Sequence, residues 1–138
     1  MAPEEPSSHS CQAVVLHCID FRFKKELDTY LNQRFPKGYD LISLAGSCMG
    51  LLSDEDHRKL LLEQFQISSR LHHPKTIVLV QHEDCGAYGG NGAFRTPEEE
   101  LEHQGQELQK ASVLLKEHFP QHQIETYFIG LSGELVSM

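Results

Sequence analysis

The chain contains no tryptophan, and it has only 12 Lys plus Arg against 20 Asp plus Glu, a net charge of −8. A surface this poor in cations repels phosphate backbones and anionic headgroups, so neither nucleic acid nor a membrane surface is an expected partner. No apolar run approaches the roughly 18 residues that a membrane-spanning helix requires. The first ten residues, MAPEEPSSHS, lack the basic stretch followed by an apolar one that marks a secretory signal. A cytoplasmic location with reduced thiols is therefore expected, and disulfides are not. There is no C-x-x-C pair, which ranks a thiol redox protein low. Nor is there a G-x-G-x-x-G or a Gly-Lys-Ser/Thr element, so the glycines after Cys85 are not read as a phosphate cradle. Internal repeats and an interdomain linker are missing too.

What is present fits one domain. The 138 residues are 39% apolar and 23% charged, a globular balance sufficient for a single core. Residues 1–12 read as a flexible arm, and 13–138 as one α/β domain. Ala13 to His17 and Thr76 to Gln81 are short apolar runs without alternation, the pattern of parallel strands covered on both faces. Asp40 to Leu44 and Ile124 to Leu131 supply two more strands. Between them, Phe23 to Phe35 carries helical spacing up to Pro36. A second helix is read from a cap at Ser53 through Leu60, Leu61, Gln64, Phe65, Ser68 and Leu71 to about His72. A third opens at Thr96-Pro97 and ends before Pro120. Strands separated by helices predict a small parallel four-stranded sheet flanked by helices.

Nine histidines and four cysteines are the unusual entries. Two segments place such residues directly after the strands richest in Val, Leu and Ile: Cys18-Ile19-Asp20-Phe21-Arg22 and His82-Glu83-Asp84-Cys85-Gly86. Ligand sites of parallel sheets lie at the carboxyl ends of strands, where the chain order reverses. If the two strands are neighbours, Cys18, His82 and Cys85 converge, and two thiolates with one imidazole suit tetrahedral zinc. Three protein donors leave a fourth position for water, the mark of a catalytic rather than a structural centre. Asp20, held ionised by Arg22, could orient a nucleophile there, or could itself fill the position and close the site.

The ordered pair Cys-x-Asp-x-Arg and His-x-x-Cys-Gly, each behind a buried strand with the small-residue segment Leu44-Ala45-Gly46 between, resembles the β-class carbonic anhydrases over roughly Ala13 to Tyr88. The resemblance implies Zn2+ on Cys18, His82 and Cys85, Asp20 and Arg22 as the catalytic dyad, and a substrate pocket near Ala45, Gly46 and Gly86. It further implies reversible hydration of carbon dioxide to bicarbonate by zinc-bound hydroxide, and a homodimer or larger homo-oligomer with the cleft near the subunit boundary. Two positions depart from the family pattern. Phe21 stands where a small hydroxyl residue is common, and is expected to narrow the cleft or pack under it; Gln81 stands where a Gly usually precedes the histidine. The alternatives are a carbonyl sulfide or carbon disulfide hydrolase on the same site, and a catalytically silent zinc-binding protein. Cys11 and Cys48 are read as packing or free thiols, His17 as a satisfied core histidine, and Glu98 to Glu102 as a solvated helix start.

Overall fold

A computed structural model describes residues 9–138. The first eight residues of the expected arm lie outside it. Cys11 and Gln12 are tied into the domain, their backbone N–H groups donating to the carbonyls of His72 and Gly38 at 2.9 and 2.8 Å.

Five strands form one sheet: β1 (Ala13–His17), β2 (Tyr39–Ser43), β3 (Thr76–His82), β4 (Gln123–Ile129) and β5 (Leu135–Ser137), in the order β2-β1-β3-β4-β5. The first four are parallel. The sheet thus has one strand more than the four expected, and β5 pairs antiparallel with β4. The extra strand returns through a tight turn in which Gly130 N–H donates to the Glu134 carbonyl and Gly133, at φ +89°, donates to that of Gly130. Three residues of antiparallel pairing need only such a turn, whereas a further parallel strand would need a crossover helix.

The helices are α1 (Lys24–Arg34), α2 (Met49–Ser53), α3 (Glu55–His72) and α4 (Pro97–His118), with single 3₁₀ turns at Phe21–Phe23, Gly86–Tyr88 and Asn91–Ala93. The cap of α3 is Asp54, whose carboxylate accepts from Asp56 N–H, and not Ser53, which ends α2. None of the described helices is long and apolar enough to cross a membrane.

Strand side chains alternate between two cores. Val14, Leu16, Ile77 and Leu79 pack with Leu61, Phe65, Leu108, Ala111 and Leu115 under α3 and α4. Ala13, Val15, Val78 and Val80 face Phe23, Leu27, Leu31 and Phe35 on the α1 side. Burial on both faces explains why β1 and β3 read as unbroken apolar runs. It also makes them adjacent central strands, in register from Ala13 opposite Thr76 to Leu16 opposite Leu79. From this pair the chain winds outward to β2 on one side and to β4 on the other, so the carboxyl ends of β1 and β3 flank the point where strand order reverses.

Candidate metal centre

Neighbouring strands that end in register deliver Cys18 and His82 side by side, and the turn after β3 brings Cys85 back to them. Their ligand atoms lie within 4.8 Å of one another, and all three residues are buried. His82 Nδ1 lies 2.7 Å from the Glu83 carbonyl. A carbonyl only accepts, so Nδ1 carries the proton and Nε2 presents its lone pair to the two sulfurs. Among the described residues, that Nε2 is one of three buried side-chain polar atoms with no hydrogen-bond partner. An orphaned lone pair in a protein interior costs about 1–3 kcal/mol. Facing two cysteines, it is what a borderline-soft cation would satisfy, and the backbone bond on the other ring nitrogen is the usual brace of a metal-ligating histidine.

The two thiols exchange influence. Cys18 is held well below the usual thiol range, first by the adjacent Cys85 thiol, against the cost of burial, and then by His82 and the backbone N–H groups of Gly46 and Asp20. Cys85 is pushed up by the same Cys18 sulfur and by burial. Burial disfavours a charged His82, but the Cys18 sulfur, the Glu83 carbonyl and Asp20 outweigh it and draw its pKa upward. Two sulfurs and an imidazole are a donor set that a borderline-soft divalent cation takes.

Asp20 and Arg22 form a forked pair. Arg22 Nε donates to Asp20 Oδ1 at 3.0 Å and Nη2 to Oδ2 at 2.7 Å, while Arg22 N–H reaches Oδ1 at 3.0 Å. The guanidinium hydrogen bond chiefly holds the Asp20 carboxyl at about 2, against a smaller cost of burial. Its Oδ2 stands 3.9 Å from His82 Nε2. The same guanidinium spans to the second loop, with Nη1 donating to Asp84 Oδ2 at 3.0 Å and Nη2 to the Asp84 carbonyl at 2.9 Å.

Asp84 carries no assigned role in the sequence reading, and its part is tertiary. It sits at φ +60°, where its Oδ1 caps Asn91 N–H at 2.7 Å and its own N–H donates to Glu100 Oε2 at 2.8 Å. Glu100, expected in a solvated helix start, is only 2% exposed. The signal lay in α4 itself, where Glu100, Gln104, Leu108, Ala111 and Leu115 share the buried stripe. Glu100→Ala removes the charged acceptor of the part-buried Asp84 N–H and is expected to lower stability by about 1–3 kcal/mol. Glu100→Gln keeps an acceptor and recovers most of it; urea midpoints compare the two.

Gln81 is likewise braced. Its Oε1 accepts from Cys48 N–H at 2.9 Å, and its Nε2 donates to Gln104 Oε1 at 2.8 Å and to the Tyr88 hydroxyl at 3.1 Å. It ties the loop after β2 to the loop after β3 beneath the three donors, so a long side chain in place of glycine leaves their convergence intact. His17 is buried with Nε2 2.5 Å from Ser43 Oγ, a satisfied strand histidine.

Phe21 neither narrows the cleft nor packs under it: it is 84% exposed and points to solvent. Of the three pocket residues, Gly46 is buried and donates its N–H to Cys18 Sγ at 3.4 Å. A Cβ there would come within 3.0 Å of both Ala87 and Met49 at φ +81°, which only glycine accommodates cheaply. Ala45 and Gly86 are exposed. The small hollow against the donors, about 10 Å³, is instead lined by His17, Cys18, Asp20, Phe23, Leu27, Val80, His82 and Ile129.

Known proteins share this architecture. The model of a family described as "Putative carbonic anhydrase" matches residues 8–137. An uncharacterized protein of Rickettsia conorii is 31% identical over 131 residues, 91% of this chain and 70% of the relative. One of Rickettsia bellii is 30% identical, covering 91% and 80%. A β-carbonic anhydrase of Trichomonas vaginalis superposes with a TM-score of 0.57 at 17% identity, over 99% of this chain and 85% of that one. A β-carbonic anhydrase of Aspergillus fumigatus gives 0.50 at 19% identity, over 94% and 76%. The two β-carbonic anhydrases share the fold, the family model spans nearly every residue, and the chain belongs to the family described as "Putative carbonic anhydrase".

Proposed function

We propose that the chain is a zinc-dependent carbonic anhydrase that interconverts carbon dioxide and bicarbonate. The observation that carries this reading is the meeting of Cys18, His82 and Cys85 about one point, with the Arg22-held carboxylate of Asp20 alongside. Those three residues would hold Zn2+, and the bound ion supplies Lewis acidity that lowers the pKa of water toward neutrality. Everything else is the work of the protein.

Asp20, kept ionised by Arg22, can only accept hydrogen bonds. A nucleophile donating to it turns its lone pair away from the carboxylate and toward the substrate. Arg22 commits two of its donors to Asp20, which keeps the carboxylate off the three metal donors and so favours an open fourth position over a closed one. Phe23, Leu27, Val80 and Ile129 give the hollow beside the donors an apolar side, which suits an uncharged, apolar substrate such as carbon dioxide. Ile19 and Phe21, 64% and 84% exposed beside the dyad, form an apolar pair that a second copy of the chain would cover in the proposed homodimer.

Stopped-flow carbon dioxide hydration tests the reading. Zinc-loaded protein is expected to accelerate the reaction, to lose that rate on dialysis against a chelator, and to regain it when zinc is returned. A loaded protein no faster than buffer would refute the assignment, and sulfide release from carbonyl sulfide in its place would redirect it.

A further inference from the structure

The strand that delivers Cys18 from its carboxyl end has a second cysteine just before its amino end. Cys11 meets Asp40, at the start of β2, and His72, the last residue of α3. Sγ, a carboxylate oxygen and a ring nitrogen lie within 4.8 Å of one another, the other such group among the described residues. We propose that Cys11, Asp40 and His72 form a second zinc site, at the amino ends of the strands, opposite the carboxyl ends that carry the first.

The backbone builds the cluster. Cys11 N–H donates to the His72 carbonyl at 2.9 Å, fixing the two ligands to each other, and Val14 stands opposite Asp40 in the β1–β2 register. His72 Nδ1 is 2.7 Å from Asp40 Oδ2, and Ser68 Oγ donates to the same oxygen at 2.7 Å. In a tetrahedral site with bonds of about 2.0–2.1 Å, nitrogen and oxygen ligands stand about 3.3 Å apart, so the pair opens by roughly half an ångström to admit the ion. Ser68, buried on α3, is then a brace on the ligating carboxylate.

Charge and access agree. A thiol and a carboxylate face each other here, and their ionised forms would repel each other side by side. A divalent cation between them removes that conflict and takes the thiolate as a ligand. The site lies at the carbonyl end of the 18-residue helix α3, where the dipole favours positive charge. His72 and Asp40 are 39% and 30% exposed. Cys11 borders a groove of about 580 Å³ and the other two a groove of about 230 Å³, so water can complete the coordination. One thiolate, one imidazole and one carboxylate make a borderline set, which zinc suits better than calcium or magnesium.

The test is metal stoichiometry on the full chain, titrated with zinc and with cobalt(II) and read by elemental analysis and the thiolate-to-cobalt charge-transfer band. Wild type is expected to bind two ions per chain, and Cys11→Ser and His72→Ala one each, with carbon dioxide hydration unchanged in both. Cys85→Ala is expected to keep the ion at Cys11. Equal stoichiometry in wild type, Cys11→Ser and His72→Ala would overturn the second site. If the first site alone failed, wild type would bind one ion, lost in Cys11→Ser and retained in Cys85→Ala.

Discussion

His82→Ala is expected to abolish carbon dioxide hydration, leaving the rate of buffer, and to remove the ion held with Cys18 and Cys85. The histidine is fixed on both sides: Nδ1 is committed to the Glu83 carbonyl, and the ring lies 4.4 Å from that of Phe23 at a tilt of 33°. Its Nε2 is therefore presented to the sulfurs without rotational freedom, which is how a ligand avoids paying for order when an ion arrives. With alanine there, two thiols remain, one strongly protonated at the expense of the other, and two protein donors are too few for a stable tetrahedral centre. Elemental analysis beside stopped-flow rates measures both losses, and circular dichroism confirms the fold. Retention of full hydration by this variant would mean that the chemistry resides elsewhere.

The Cys-x-Asp-x-Arg and His-x-x-Cys segments could be paired from sequence because the strands behind them are apolar on both faces, and that pattern belongs to the centre of a parallel sheet. Adjacent central strands then put Cys18 beside His82 almost by necessity. Legibility ended where structure depended on contacts between distant elements. Leu135–Ser137 is too short to show a period, and it is a strand only because the Gly130–Glu134 turn lays it on β4, where Met138 N–H also meets the Thr126 carbonyl. Glu100 carried the charge of a surface residue while occupying the buried stripe of α4, so charge and position disagreed and position won. Asp84 lies between His82 and Cys85 and looks like a spacer. Its function emerges only when the chain turns left-handed there and Arg22 arrives from 62 residues earlier. Phe21 escapes a sequence reading for a related reason: the 3₁₀ turn Phe21–Phe23 rotates Phe23 into the core, with 5% exposure, and sends Phe21 outward.

Arg22→Ala is the variant that separates holding an ion from using it. Four of its hydrogen bonds run from one guanidinium to Asp20 Oδ1, Asp20 Oδ2, Asp84 Oδ2 and the Asp84 carbonyl, so it sets the position of the carboxylate and joins the two motif loops. Asp84 keeps its bonds to Asn91 and Glu100 when the arginine is removed, so the second loop stays in place. Asp20 keeps only the cap of its Oδ1 on the backbone N–H of residue 22, and its Oδ2 loses every guanidinium contact. Released from Arg22, its carboxyl rises from about 2 toward an ordinary value and its Oδ2, already 3.9 Å from His82 Nε2, is free to swing onto the open coordination position. Bound zinc is expected to stay near the wild-type level while hydration falls by about 10²–10³-fold, the scale seen when a preorganised hydrogen-bonding group is lost from an active site. Arg22→Lys restores little of it, because an ammonium presents a point charge and cannot span two carboxylates and a carbonyl in one plane. A drop in zinc parallel to the drop in rate would assign Arg22 to the stability of the centre instead, and a rate within threefold of wild type, with threefold worth only about 0.7 kcal/mol of barrier, would remove it from the mechanism.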